Sequence, residues 1–148
     1  MPVKPIAIAS DHAGFELKAV LREEIRKMGY GVLDLGTDSA DSVDYPDFAD
    51  ALAKAIGKGD ADRGVLICGS GLGISMAANR YPEVRAAPCA GAEWARLARK
   101  HNDANVLALG ARLIGADTAK ACLKAFLETP FEGGRHERRV QKLSKRSS

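Results

Sequence analysis

The residues with most chemical promise lie together in Gly64-Val65-Leu66-Ile67-Cys68-Gly69-Ser70-Gly71-Leu72-Gly73-Ile74-Ser75. An apolar run ends in a thiol, glycines then alternate with Ser70 and Leu72, and a helical pattern follows. A thiolate is a base or a nucleophile. Glycine permits positive φ and close approach of a ligand to the backbone. A helix N-terminus offers unpaired N–H groups and partial positive charge, which suit an anion, and a thiol beside it is favoured as the thiolate. The segment thus offers a candidate base, Cys68, and a candidate oxyanion site in the amides of Gly69, Ser70, Gly71, Leu72, Gly73 and Ile74. A dinucleotide fingerprint would place a third glycine at Ile74, and a phosphate-binding loop would end in Gly-Lys-Ser/Thr. Neither pattern is met, so the loop reads as an anion cradle. The plainer alternative is a tight turn with Cys68 as a small buried apolar residue.

The elements needed to hold these residues in place are legible in the apolar periodicity. Val3 to Ser10 reads as a strand. Leu17, Leu21, Ile25 and Met28 recur at helical spacing within a helix from Gly14 to Met28, closed by Gly29. Val32 to Leu35 is a second strand, and Pro46 starts a helix with Phe48, Leu52 and Ile56 on one face. Val65–Cys68, Val84–Cys89 and Val106–Leu109 are further strands. Leu72–Arg80, Glu93–Lys100 and Ala116–Leu127 are helical, and a last helix runs from about Gly134 to Lys145. Strands spaced by helices predict a Rossmann-like α/β/α sandwich on a five-stranded parallel sheet, as one domain over residues 1–148. In such sheets ligands bind beyond the carboxyl ends of the strands. Those ends carry Ser10-Asp11-His12, Asp34-Leu35-Gly36, Cys68-Gly69-Ser70, Cys89 and Gly110-Ala111-Arg112.

Other polar residues stand out by position. Asp11-His12 follows the first strand, and Gly14 leaves the backbone open to a ligand. His101-Asn102-Asp103 closes a helix, either as a C-terminal cap or as chemistry. Arg135 and Arg139 are four apart, so on a helix they share a face that can clamp a phosphate, with Arg112 as a third cation. Solvated surface arginines are the alternative.

Composition sets outer limits. The chain has 148 residues, 46% hydrophobic and 28% charged, as in an ordinary globular domain. No apolar run reaches the roughly 20 residues of a membrane span. The N-terminus carries no signal-peptide pattern, so a cytoplasmic address is expected. Three widely spaced cysteines, Cys68, Cys89 and Cys122, argue against a disulfide framework, and no paired Cys or His spacing suggests zinc. Net charge is +3, yet residues 135–148 hold six basic residues and one acidic, so the rest is slightly acidic. That segment reads as a solvated helix end, a nucleic-acid tail or an anion site.

Taken in order, Ser10-Asp11-His12-Ala13-Gly14-Phe15, Asp34-Leu35-Gly36-Thr37, Asp44-Tyr45-Pro46, Gly69-Ser70-Gly71-Leu72-Gly73-Ile74-Ser75, His101-Asn102-Asp103-Ala104-Asn105-Val106-Leu107 and Glu132-Gly133-Gly134-Arg135-His136 resemble the type B ribose-5-phosphate isomerases and their galactose-6-phosphate isomerase relatives. The resemblance spans almost the whole chain at near-constant spacing. It implies interconversion of ribose 5-phosphate and ribulose 5-phosphate through an enediolate, without metal or organic cofactor, by a homodimer or a dimer of dimers with sites between subunits. It implies Cys68 as base, Ser70 as a proton shuttle and His101 as the ring-opening acid/base. Asn102, Asp11 and Tyr45 would touch the sugar. His12, Arg112, Arg135 and Arg139 would hold the phosphate, some of them supplied across the interface. The basic segment then serves a phosphate rather than a nucleic acid, with Lys142, Lys145 and Arg146 exposed. Ala90-Gly91-Ala92-Glu93-Trp94 departs from many relatives, with Trp94 at a subunit contact or the site's border, and leaves sugar length open. Hexose 6-phosphate isomerisation and non-catalytic sugar-phosphate binding are the alternatives; retention of Cys68, Ser70 and His101 together speaks against the latter.

Overall fold

A computed structural model describes residues 3–144. Five strands, β1 (Ile6–Ser10), β2 (Val32–Asp34), β3 (Gly64–Cys68), β4 (Ala86–Pro88) and β5 (Val106–Gly110), alternate with helices α1 (Phe15–Lys27), α2 (Tyr45–Gly57), α3 (Leu72–Ala78), α4 (Ala92–Asn102) and α5 (Ala116–Glu128). A sixth helix, α6 (Arg135–Ser144), follows a linker. The strands form one sheet in the order β2-β1-β3-β5-β4, and every pairing is parallel.

Alternation along each strand sorts the two faces. Ile6, Ile8, Val65, Ile67, Leu107 and Leu109 point to a core built with Leu21 and Ile25 of α1, Ala95 and Ala98 of α4, and Leu123 and Phe126 of α5. Ala7, Ala9, Leu66, Cys68 and Ala108 point to the other side, against Leu52, Ile74 and Ala78 of α2 and α3. Small residues dominate that second face. Full burial of side chains such as Phe126, Leu66 and Ile67 contributes about 1.5–3 kcal/mol each, which sets which face each strand presents.

Three strands are shorter than their sequences predict, and β2 stops one residue early, at Asp34. β1 begins at Ile6, because Pro5 has no N–H to donate and pairing starts only where Ile6 meets Val32; Val3 is exposed. β4 is a three-residue edge strand rather than Val84–Cys89. The Val84 amide turns back to the Tyr81 carbonyl and the Arg85 amide is taken by Asn105 Oδ1. Asn79, just past α3, holds the edge through both backbone groups of Ala86. The last helix agrees with its expected start, but Lys145 and Arg146 lie outside the described residues.

Candidate active site

The order of the sheet places a crevice at the carboxyl ends of β1 and β3, from which the chain leaves in opposite directions. A pocket of about 440 Å³ opens there, lined by Asp11, Tyr45, Cys68, Gly69, Ser70, Gly73, Arg112 and Leu113. A neighbouring depression shares Asp11 and Tyr45 and adds His12. Most of the predicted residues at strand ends therefore come together.

Cys68 ends β3 and is 4% exposed. Its Sγ accepts the Gly71 N–H at 3.2 Å, a contact stronger for a thiolate than for a thiol. Gly71 has φ +80°, and a Cβ there would stand 2.9 Å from the Leu109 carbonyl carbon. The Cys68 and Gly69 carbonyls accept from the amides of Ala111 and Arg112, at 2.9 and 3.0 Å. The loop is thus wedged against the end of β5 by backbone alone. Ser70 is exposed, and its Oγ accepts the Leu72 amide at 3.1 Å at the head of α3. The amides of Gly71 and Leu72 are committed within the loop, which narrows the oxyanion candidates to Gly69, Ser70, Gly73 and Ile74. Ile74 can contribute only its backbone, since its side chain is in the core.

The remaining walls are charged or polar. Asp11 is buried, and one carboxylate oxygen accepts the amides of Ala13 and Gly14, at 3.0 and 3.3 Å, capping a short 3-10 turn. His12 Nδ1 accepts the Val43 amide at 3.1 Å. A neutral His12 ring therefore carries its proton on Nε2, as a donor. Arg112 is exposed and its guanidinium lies over Gly69.

His101, Asn102, Arg135 and Arg139 are not in this pocket. β4 enters α4 at the carboxyl edge of the sheet, and α4 runs back, so His101 and Asn102 lie where β5 begins. About 15 Å of strand separates that pole from Cys68. Asn102 borders a separate hollow of about 370 Å³ with Asn79, Arg85 and Leu143. His101 stacks on His136 of α6, ring centres 4.3 Å apart. Arg135 and Arg139 are exposed on α6. Trp94, also on α4, is 62% exposed. Glu132 and His136 fall in the last sequence motif with no role legible there; only folding beside His101 marks them.

His101, Glu132 and His136 offer three ligating atoms within 4.8 Å. Their geometry is poor for a metal. A metal–imidazole bond lies in the ring plane, and these two planes are within 15° of parallel, so they share no nearby point. Arg135 and Arg139 also repel a cation here.

Away from the site, the buried ammonium of Lys18 and the guanidinium of Arg22 bracket Asp34 on β2, at 2.7 and 2.6 Å. Burial opposes the ionised form of Asp34, but these partners and the Gly36 amide outweigh it and hold its carboxyl below the usual range. Burial, with Cys122 nearby, pushes Cys89 up to about 12, and burial raises Cys122.

A parallel five-stranded α/β/α sandwich with a polar crevice at its carboxyl edge is the architecture of a small-molecule-binding α/β protein. Residues 6–143 match the Ribose/Galactose Isomerase family, and the chain belongs to it. The Escherichia coli (strain K12) protein named ribose-5-phosphate isomerase B is 44% identical over 142 residues, which cover 96% of this chain and 95% of that one. The ribose 5-phosphate isomerase structure of Thermotoga maritima is 53% identical with a TM-score of 0.92, covering 97% of this chain and 99% of its own. Mycoplasma genitalium ribose-5-phosphate isomerase B, solved with bound ribulose-5-phosphate, is 43% identical with a TM-score of 0.90, covering 95% and 93%. Among the described residues no helix is long and apolar enough to cross a membrane.

Proposed function

We propose that this chain interconverts ribose 5-phosphate and ribulose 5-phosphate through an enediolate, with Cys68 as the base, in the cytoplasm. The observation that carries the reading is the single pocket that joins the Cys68 thiol to Ser70, Asp11, Tyr45 and Arg112. A carbon acid needs a base beside donors that meet the negative charge as it forms. Free thiols at Cys68, Cys89 and Cys122 suit a reducing compartment.

The steps follow from these positions. His101 donates a proton to the furanose ring oxygen as the C1–O bond breaks, while water takes the anomeric hydroxyl proton, leaving the C1 aldehyde. The Cys68 thiolate removes the C2 proton, and the electron pair moves to the carbonyl oxygen, giving the enediolate. Backbone amides of the glycine loop hold that oxygen, and Ser70 relays the proton between the two oxygens. The thiol then returns its proton to C1, giving the ketose. His12 and Arg112 attract the phosphate from one side.

The two poles call for two chains. His101 and Cys68 sit at opposite ends of one sheet, so a homodimer, alone or paired into a tetramer, supplies His101, Asn102, Arg135 and Arg139 from one subunit to the Cys68 pocket of the other. A helix face with two arginines one turn apart is suited to the far side of a phosphate.

Steady-state assays on the 5-phosphate of ribose and the 6-phosphates of allose and galactose test the reading. Turnover of ribose 5-phosphate is expected. Cys68→Ala is expected to abolish it while a phosphate-bearing product analogue still binds. Turnover of neither pentose nor hexose phosphate overturns the isomerase assignment, and preference for a hexose replaces the substrate.

A further inference from the structure

Glu132 and His136 surround the one imidazole to which ring opening is assigned. The His101 and His136 rings stack. Glu132 Oε1 lies 3.9 Å from His101 Nε2 and 3.6 Å from His136 Nε2, so one carboxylate faces both rings. His136 is buried, whereas the side chain of His101 is 41% exposed, so only the outer ring can meet a substrate.

The backbone holds this carboxylate in place. The Glu132 amide donates to the Lys100 carbonyl at 3.1 Å, next to His101. Arg99 reaches across from α4 to the Thr129 carbonyl at the start of the linker and also binds Asp103 Oδ1 and the Ala104 carbonyl. Linker and helix end therefore move as one piece.

The surrounding charge is mostly positive. Arg135 and Arg139 of α6 act on the pair, and Lys100 and Arg99 belong to α4. Arg85, beside β4, and Arg99 are both paired with Asp103. Glu128 ends α5 and Glu137 lies on α6, but Glu132 is the carboxylate against both rings. Without it, a proton on His101 would face arginines and a second imidazole with little compensation. Burial, with repulsion from His101 and Arg135, holds His136 below the usual imidazole range.

We propose that Glu132 is a positioning residue for His101: its carboxylate, shared with His136, orients the outer imidazole and keeps a proton on it for delivery to the furanose ring oxygen. This rests on the ring-opening role given to His101 above. His136 is the inner support of the stack.

The test separates ring opening from proton abstraction at carbon. Ribulose 5-phosphate cannot close a furanose because its 5-hydroxyl is esterified. Washout of its C1 hydrogen in deuterated water therefore reports Cys68 chemistry alone. Glu132→Gln is expected to lower kcat/KM for ribose 5-phosphate about tenfold and move the His-dependent limb of its pH profile to lower pH, by about half a unit to one unit. Washout should change by less than about twofold, and Glu132→Asp should recover part of the loss. An unshifted pH profile, or equal loss of washout and turnover, overturns the proposal. Absence of both washout and turnover in the unmodified protein overturns the isomerase reading beneath it instead.

Discussion

The ring of Tyr45 occupies the place that a side chain at Gly73 would need: a Cβ there would stand 2.6 Å from Tyr45 Cζ and 2.8 Å from its hydroxyl oxygen. Tyr45 opens α2 and Gly73 lies in the first turn of α3, so the two helices meet at the pocket floor through an aromatic ring on bare backbone. Gly73→Ala should displace the outer end of a flexible side chain, with little harm to the fold. Alanine also favours a helix over glycine by about 1 kcal/mol. The expected result is an unchanged or slightly raised melting temperature with kcat/KM for ribose 5-phosphate down about tenfold. A destabilised but fully active variant would contradict this.

Gly110 should behave in the opposite way. A Cβ there would lie 2.6 Å from both the carbonyl carbon and the oxygen of Ser70, and neither backbone atom can swing aside. Gly110→Ala is expected to cost about 2–4 kcal/mol in urea unfolding and to lose activity with it, since β5 would push the loop off Cys68.

Stability should fall in alkali because of a residue with no part in the chemistry. Cys89 is held up to about 12 in the folded chain, but ionises near 8.5 when unfolded. Between those values the unfolded state binds fewer protons than the native state, so unfolding becomes easier as pH rises. The loss is about 1.4 kcal/mol per pH unit from this thiol, with Cys122 adding in the same direction. Urea titrations under reductant at about pH 8 and pH 10 measure it, and Cys89→Ala should flatten the slope. An equal slope in that variant would assign the effect elsewhere.

Mixing two dead variants should restore activity. If Cys68 and His101 of one site come from different subunits, Cys68→Ala and His101→Asn chains form mixed dimers with one intact site and one doubly impaired. Random exchange then recovers about a quarter of the activity of the unmodified protein. No recovery, with subunit exchange verified by mass spectrometry, would place both residues in the same subunit's site.

The order of strands and helices is legible because each strand is a short apolar run and each helix keeps a single apolar stripe, as Leu21 and Ile25 do in α1. The cluster around Cys68 is legible too, since parallel sheets collect their ligands at strand ends, and Cys68 ends a strand while Asp11 and Arg112 follow strands. His101 was singled out by its type, but its distance from Cys68 depends on the direction of α4, which sets it at the other pole. Glu132 and His136 read as part of a motif without a role until the linker folds back on Lys100. β4 is shorter than its sequence predicts because side chains of Asn79 and Asn105, distant in sequence, take hydrogen bonds that a longer strand would have used.

The glycine loop meets the end of β5 through amides and carbonyls, and substitution cannot retune groups that every residue possesses. Drift in the accepted sugar is therefore expected at the rim, where Asp11, Tyr45, Arg112 and Leu113 carry variable chemistry, and at the Asn102 end of α4 that the proposed dimer brings to it. Libraries confined to these four positions would redirect the pocket toward longer or shorter aldose phosphates while leaving the carbon-acid machinery intact, much as a lathe keeps its spindle when the chuck is changed.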